Sequence, residues 1–171
     1  MADEAELGGA ASPPAPKVLA LQASAIVDST VRLADAAALA AVVGDGPMGG
    51  SVRVTAAELE ALLEKTGVEP EHRAGGSAAN TLRALASGFG VPCSCMGGVG
   101  DDEFGQVFTS ALADADVAAS ALQVQAGKPT GRCAVLVSDA DGQRTMRTVF
   151  DGAAALDPVR QSVPLPAPLT A

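Results

Sequence analysis

Glycine-rich turns that lead directly into amphipathic helices are the feature that most constrains how this chain folds. The stretch RAGGSAANTLRALASGFG, residues 73–90, begins with paired glycines and continues with Leu82, Leu85, Ala86 and Phe89 at helical spacing. This spacing predicts a helix with one buried face. The paired glycines at its start suit either a tight turn or the close approach of a ligand to the backbone.

Predicted strands and helices alternate along the rest of the chain. The runs KVLALQ, STVRLAD and VPCSCMGGVG read as strands, the second of them exposed and the third breaking into a glycine turn. AAALAAVV is helix-prone and ends at Gly44, and Thr55 with Glu58 forms a capping-box pattern before a helix that stops at Gly67. The run RCAVLVSDADGQRTMRTVF predicts a hairpin around Asp141-Gly142. This order indicates an α/β fold with a projecting hairpin.

The charge balance excludes several classes of partner. Twenty acidic and eleven basic residues give a net charge of −9, which argues against nucleic acid or an anionic membrane as the partner. No apolar run reaches the roughly 20 residues that a membrane-spanning helix needs. We therefore expect a cytoplasmic protein, with a plastid location left open.

Composition also divides the chain into three segments. Residues 1–16 are acidic and Pro-rich, residues 17–150 carry the periodic patterns, and residues 151–171 are Pro-rich without periodicity. We expect a disordered leader, one folded region and a disordered tail. The sequence predicts no metal site, because His72 is the only histidine, and Cys93, Cys95 and Cys133 are expected to be reduced, packed thiols.

The segment GDDEFGQV, residues 100–107, matches neither of two phosphate-binding patterns. Its glycines are spaced as in a Walker A loop, but the following Lys and Ser/Thr are missing. A dinucleotide-binding fingerprint fails because Glu103 stands where a third glycine is needed. The segment instead predicts a turn into a carboxylate-capped helix, whose structural residues are Gly100, Asp101, Asp102 and Gly105.

Asn80, Asp28 and Arg132 are the polar candidates for ligand binding. Asn80, in the first turn of the predicted helix, offers one acceptor and two donors, which suits a pair of vicinal hydroxyls. Asp28 follows the first strand, where open α/β sheets bind ligands. Each has a plain alternative: Asn80 as a helix-start residue, Asp28 as a solvated turn residue, and Arg132 on a solvated strand face rather than over a ligand.

Four segments, in order, resemble the N-terminal half of PfkB-type, ribokinase-like carbohydrate and nucleoside kinases: ALQASAIVD, AGGSAANTLRALA, MGGVGDDEFGQVF and PTGRCAVLVSDADGQRTM. The resemblance covers residues 17 to about 150, and LQASAIVD and GGSVRV look like plant and algal nucleoside kinases. It implies a three-layer α/β/α sandwich with a small β-sheet lid, to which residues 131–150 would contribute strands. The exposed edge of the lid would allow two copies of the chain to pair as a homodimer.

The resemblance further implies an activity and a set of substrate ligands. The activity is transfer of the ATP γ-phosphoryl group, with Mg, to a primary hydroxyl of a sugar or nucleoside. Asp28, Gly75, Gly76 and Asn80 would hold the sugar hydroxyls, and Arg132 is the further substrate-binding candidate.

Two departures from the family pattern limit what the resemblance implies. Ala23-Ser24 stand where family members commonly have Gly-Asn. The chain also has no G-A-G-D-type motif, whose Asp is the family's general base, and no stretch that looks like the ATP-binding region. We therefore expect an incomplete sandwich, no catalytic residue in this chain and no activity of the chain alone. The alternatives are a non-catalytic pseudokinase fragment that binds ribose-like ligands or dimerises through its lid, and an unrelated α/β binding module.

Overall fold

Eight strands and four helices alternate along residues 16–150 and 152–157, the residues that the computed structural model describes. The strands are β1 (Val18–Ser24), β2 (Ile26–Leu33), β3 (Ser51–Arg53), β4 (Glu71–Ala74), β5 (Cys93–Gly100), β6 (Val117–Gln125), β7 (Gly131–Ser138) and β8 (Arg144–Val149). The helices are α1 (Ala36–Val43), α2 (Ala56–Thr66), α3 (Ser77–Phe89) and α4 (Glu103–Ala113). The predicted leader, apart from Pro16, and most of the predicted tail lie outside the described residues.

Sheet A consists of three parallel strands in the order β1-β5-β6. Helices α3 and α4 pack on it, and Leu82, Phe108 and Leu112 are fully buried in the shared core. Within the described residues, helices cover one face of this sheet, and Leu21 on the other face is 51% exposed. The predicted α/β class is confirmed, and the described residues supply one of the two helical layers of a three-layer sandwich.

Sheet B is a mixed sheet of five strands in the order β3-β8-β7-β2-β4. Strand β2 pairs in parallel with β7 and antiparallel with β4, and β7 and β8 form the predicted hairpin. Helices α1 and α2 pack on one face of this sheet through Leu39, Leu59 and Leu63. The predicted lid strands at residues 131–150 are thus only part of a larger sheet, because three earlier strands join them.

The two sheets meet at Ala25, between β1 and β2. The Ala25 amide donates to the Gly98 carbonyl of sheet A (2.7 Å), and its carbonyl accepts from the Gly131 amide of sheet B (3.0 Å). Ala25 itself is 1% exposed. This single residue therefore ties the backbone of both sheets together and sets how they meet.

Three expectations about individual segments need correction. The STVRLAD strand is not exposed. Its residues lie largely in β2, which is flanked by β7 and β4. Alternate residues of β2, including Ser29 and Val31, are buried. Phe89, expected on the buried face of α3, is the last residue of the helix and is 78% exposed. The VPCSCMGGVG strand does not break at its glycines but continues to Gly100.

Among the described residues, no helix is long and apolar enough to cross a membrane.

The start of α4 is fixed to the loop before β7 by Asp102. One carboxylate oxygen accepts from the Gly105 amide (2.8 Å) and the Thr130 hydroxyl (2.6 Å), and the other accepts from the Thr130 amide (2.8 Å). Partial burial raises the pKa of Asp102, but these hydrogen bonds outweigh it and lower the pKa below its ordinary value. Gly105 lies against the Gly100 carbonyl, with no room for a side chain. The GDDEFG segment is therefore a helix start that anchors a loop.

We predict that Asp102→Ala lowers the free energy of unfolding by about 1–2 kcal/mol, the usual cost of losing an N-cap carboxylate. Because the pKa is lower in the folded protein, this contribution is present above the unfolded-state pKa and is lost as the pH falls through the folded-state value. Urea unfolding at pH 7 and pH 3 measures both effects. Asp114→Ala, at the opposite end of α4, is the control and should cost nothing, since a carboxylate there opposes the helix dipole; an equal loss in both variants would contradict the prediction.

Candidate functional site

A cleft of about 400 Å³ opens at the junction of the two sheets, beside the start of α3. Strands β1, β2, β7 and β8 and the first turn of α3 all contribute to its wall. The lining residues are Leu21, Gln22, Ser24, Ile26, Asp28, Gly76, Ser77, Ala78, Cys133, Met146, Thr148 and Phe150. Asp28 is the one charged side chain among these twelve. The cleft is thus a mainly apolar pocket with a single carboxylate, the kind of site that binds a small polar molecule in a fixed orientation.

Asp28 lies on β2, opposite Cys133 of β7 and Arg73 of β4. Its carboxylate is half-buried, and burial raises the pKa of Asp28 above its ordinary value. Among the described residues, no hydrogen bond or ion pair reaches this carboxylate. A half-buried carboxylate without a partner is costly, and it is free to accept hydrogen bonds from the hydroxyl groups of a ligand.

The paired glycines lie directly against the side chains of the cleft. A Cβ added to Gly75 would stand 2.6 Å from both carboxylate oxygens of Asp28. A Cβ added to Gly76 would overlap the amide group of Gln22, and Gly76 also has φ +91°, which favours glycine. The two glycines therefore let the turn lie directly against Asp28 and Gln22.

The start of α3 supplies hydrogen-bond donors to the same cleft. Gly76 is the N-cap residue and provides no side-chain cap. The Gln22 amide oxygen accepts from the Ala79 amide (3.1 Å), and its amide nitrogen donates to the Gly75 carbonyl (3.2 Å). The amides of Ser77 and Ala78, in the first turn, have no acceptor within their own helix, and both residues line the cleft. Residues with unpaired backbone donors and the Asp28 acceptor therefore line the same cleft.

Cys133, which lines the cleft, has an unreactive thiol. Burial and the nearby Asp28 charge raise the pKa of Cys133 to about 12. Cys93 and Cys95 are likewise free and buried, and burial raises the pKa of Cys95 to about 11. The thiols are protonated near neutral pH and are no nucleophiles, in line with the expectation of reduced, packed cysteines.

The structure brings Asp28, Gly75 and Gly76 together but does not add Asn80 and Arg132 to them. Asn80 is exposed and lines a separate depression with Arg83 and Ala111. Arg132 neighbours Cys133 along β7, so its side chain lies on the opposite face of sheet B. There it forms an ion pair with Glu60, and its guanidinium stands 4.2 Å from the centre of the Phe104 ring. In this structure Arg132 therefore supports the packing of α2 and α4 on the sheet.

Gln22 and Ser24 also line the cleft, although neither was among the predicted substrate-binding residues. The Ser24 hydroxyl donates to the Ala154 carbonyl (2.7 Å), and the Leu156 amide donates to the Ala23 carbonyl (2.6 Å). Residues 152–157 thus lie against the end of β1. These two side chains could have been found from their position, since each precedes Asp28 at the end of the first strand, where open sheets bind ligands.

Comparisons with known proteins identify the family and the fold of the chain. A family model described as pfkB family carbohydrate kinase matches residues 52–167. The chain belongs to the pfkB family of carbohydrate kinases. The family match includes residues 151–167, where we expected the resemblance to stop. The comparison with curated proteins gave no match.

Solved structures with this fold include both nucleoside and sugar kinases. The adenosine kinase from Sinorhizobium meliloti is 30% identical, with a TM-score of 0.63, over 77% of this chain and 38% of that chain. A probable sugar kinase from Rhizobium etli is 26% identical, with a TM-score of 0.63, over 81% and 39%. The adenosine kinase from Anopheles gambiae, 23% identical with a TM-score of 0.65 over 85% and 43%, supports the ribokinase-like fold alone. This pfkB-family chain thus spans about two fifths of the length of these structures.

The described part of the pfkB-family chain does not fit the nucleotide and metal that the family implies. It contains no group of three His, Cys, Asp or Glu residues that could hold a metal ion. The one carboxylate of the cleft stands alone there, whereas Mg²⁺ and nucleotide phosphates need several oxygen ligands or basic groups.

We predict that Gly75→Ala lowers the free energy of unfolding by about 1–3 kcal/mol, because the new methyl group must displace the Asp28 carboxylate or the turn. Gly88→Ala is the matched control. Gly88 lies inside α3 with open space around it, so alanine should stabilise the chain by about 0.5–1 kcal/mol. Thermal unfolding of the two variants measures the difference, and a stable Gly75→Ala variant would show that the turn is not confined by Asp28.

We predict that Asp28→Asn raises the unfolding midpoint at pH 7. Since the pKa of Asp28 is raised in the folded protein, stability falls as the pH rises from its unfolded-state value through its folded-state value, and the cost then persists at neutral pH. The neutral amide removes that cost, and the gain should vanish below pH 3. Asp139→Asn, which removes the same charge from an exposed ion pair with Arg32, should give no gain at pH 7. An unchanged or lower midpoint for Asp28→Asn would contradict the prediction.

Proposed function

We propose that this chain binds the ribose-like part of a sugar or nucleoside in the Asp28 cleft, as the substrate-binding half of an ATP-dependent phosphotransferase. The observation that carries the proposal is the half-buried Asp28 carboxylate, which has no hydrogen-bond or ion-pair partner among the described residues and lines one cleft with the start of α3.

The chemistry of the cleft suits a vicinal diol. A carboxylate accepts hydrogen bonds from two neighbouring hydroxyls, and hydrogen bonds to an ionised group are about twice as strong as neutral ones. The Ser77 and Ala78 amides can donate to the hydroxyl oxygens at the same time. The apolar wall formed by Ile26, Met146 and Phe150 can exclude water from the bound sugar and strengthen these contacts. A ring with hydroxyls on one edge and an apolar face is the matching ligand.

Support for an acceptor of this class also comes from relatives of known activity. The Sinorhizobium meliloti structure is an adenosine kinase, and a Schistosoma mansoni adenosine kinase of the same fold was solved with 2-fluoroadenosine. In our proposal, ATP and Mg²⁺ are bound, and the acceptor hydroxyl is deprotonated, by residues that this chain does not include. The role of this chain in the reaction is to hold and orient the acceptor.

Calorimetric titration of the 171-residue chain with adenosine and with D-ribose tests the proposal. We expect saturable binding of at least one of them, and a loss of about 10–100-fold in affinity in Asp28→Asn, the usual effect of removing a charged hydrogen-bond acceptor. Asp139→Asn is the matched control and should bind like the unmodified chain. Failure of both ligands to bind would overturn the proposal.

The same titration tests whether Asn80 binds the ligand. The family resemblance predicts a similar loss of affinity in Asn80→Ala, whereas the exposed position of Asn80 in this structure predicts none.

A non-catalytic binding protein is the second candidate, favoured by the lack of a G-A-G-D-type motif in the sequence. A mixture of this chain with ATP, Mg²⁺, the bound ligand and a complementing polypeptide separates the two functions. Both candidates predict binding without phosphoryl transfer by the chain alone. A complementing polypeptide that carries the remainder of a pfkB-family kinase should restore transfer only if the chain is the substrate-binding half.

A further inference from the structure

We infer that Gln22 is the positioning residue of the Asp28 cleft: its side chain caps α3 from another element and holds the Gly75–Gly76 turn against β1. The inference concerns a contact within the fold, and its consequence for ligand binding rests on the proposed function. Gln22 lies on β1, 53 residues before Gly75 and 57 before Ala79.

The first observation is that α3 has no cap of its own. The N-cap positions of α1, α2 and α4 are filled by Asp35, Thr55 and Asp102, and each side chain accepts from an amide of its own first turn. The N-cap of α3 is Gly76, without a side chain. The Gln22 amide oxygen takes the place of the cap by accepting from Ala79, the third residue of the helix, whose amide a local N-cap side chain would otherwise bind.

The second observation is that the same amide group also binds the turn before the helix. The Gln22 amide nitrogen donates to the Gly75 carbonyl while its oxygen binds Ala79. One side chain therefore spans the two glycines and fixes both ends of the turn. Asp28 contacts the turn at Gly75 and Gln22 contacts it at Gly76, so the two side chains hold it between them.

The third observation is that the backbone of Gln22 packs closely against β5. Its backbone carbonyl lies against Gly97 of β5, where a Cβ would overlap it. Its side-chain amide lies against Gly76, where a Cβ would overlap it. Gln22 therefore links β1 to the start of α3 through its hydrogen bonds to Gly75 and Ala79. In our inference, this link sets where the Ser77 and Ala78 amides lie relative to Asp28.

The chemical consequence is a division of the first-turn donors of α3. Gln22 occupies the Ala79 amide, and the Ser77 and Ala78 amides remain for a ligand. Removing the Gln22 amide would free a third donor and release the turn. The helix start would then no longer present two donors at a set distance from the Asp28 carboxylate, and the affinity for a diol would fall.

The test compares Gln22→Met, Gln22→Glu and two controls. Met has a similar length but neither hydrogen-bonding group, whereas Glu keeps the acceptor for Ala79 and loses the donor to Gly75. Gln106→Met is the matched control, because Gln106 is exposed on α4. Val107→Ala truncates a half-buried side chain that packs on the core of sheet A outside the cleft, and controls for general destabilisation.

Amide hydrogen exchange by NMR and calorimetry with adenosine and D-ribose are the readouts. In Gln22→Met we expect the Ala79 amide to exchange at least about 10-fold faster, with affinity reduced about 10-fold, the equivalent of one lost hydrogen bond. Gln22→Glu should keep slow Ala79 exchange, and neither control should change that amide or the affinity. The affinity loss should also shrink in an Asp28→Asn background, because the two residues act on one turn.

Unchanged Ala79 exchange in Gln22→Met overturns the cap, and unchanged affinity beside a binding unmodified chain overturns the positioning role. The same losses in Val107→Ala would also overturn it, since they would reflect destabilisation alone. If the unmodified chain binds neither probe, the proposed function fails. In that case faster Ala79 exchange in Gln22→Met still supports the cap, and an unchanged rate overturns it.

Discussion

The backbone of Ala25 is the point on which the two sheets depend. Its amide binds sheet A and its carbonyl binds sheet B, so the chain passes from one sheet to the other without an unpaired polar group at a buried residue. Next to it, the Gly75 amide donates to the Ile26 carbonyl (2.9 Å), which fixes the glycine turn to the start of β2. The cleft lies at this junction and is lined by strands of both sheets.

The Asp28 carboxylate of the cleft lowers the stability of the fold at neutral pH. Burial raises the pKa of Asp28. A half-buried carboxylate without a partner therefore lowers the free energy of unfolding at neutral pH. Asp102 shows the opposite behaviour: its carboxylate accepts three hydrogen bonds, and its pKa is lowered. Asp102 thus holds the scaffold, whereas Asp28 is left open for the ligand that we propose.

Local chemistry made some elements predictable and left others beyond reach. The capping box of Thr55 and Glu58, the Asp102 cap and the Asp141-Gly142 hairpin involve neighbours in the sequence, and the structure has each of them. The burial of β2 was missed because Ser29 interrupts its apolar alternation; Ser29 is nevertheless fully buried and hydrogen-bonded to His72. Phe89 was placed in the core because helical spacing says nothing about where the core ends.

The sequence by itself determined the α/β order, the glycine turn before α3, and the likeness to pfkB-family kinases, because these follow from patterns within short segments. Only the tertiary structure decided which polar residues share the cleft. It joined Asp28 to Gly75 and Gly76, turned Arg132 to the opposite face of the sheet, left Asn80 at a separate depression, and introduced Gln22. The reason is physical: strand register and sheet crossing set the direction of a side chain, and both depend on contacts between residues far apart in the chain.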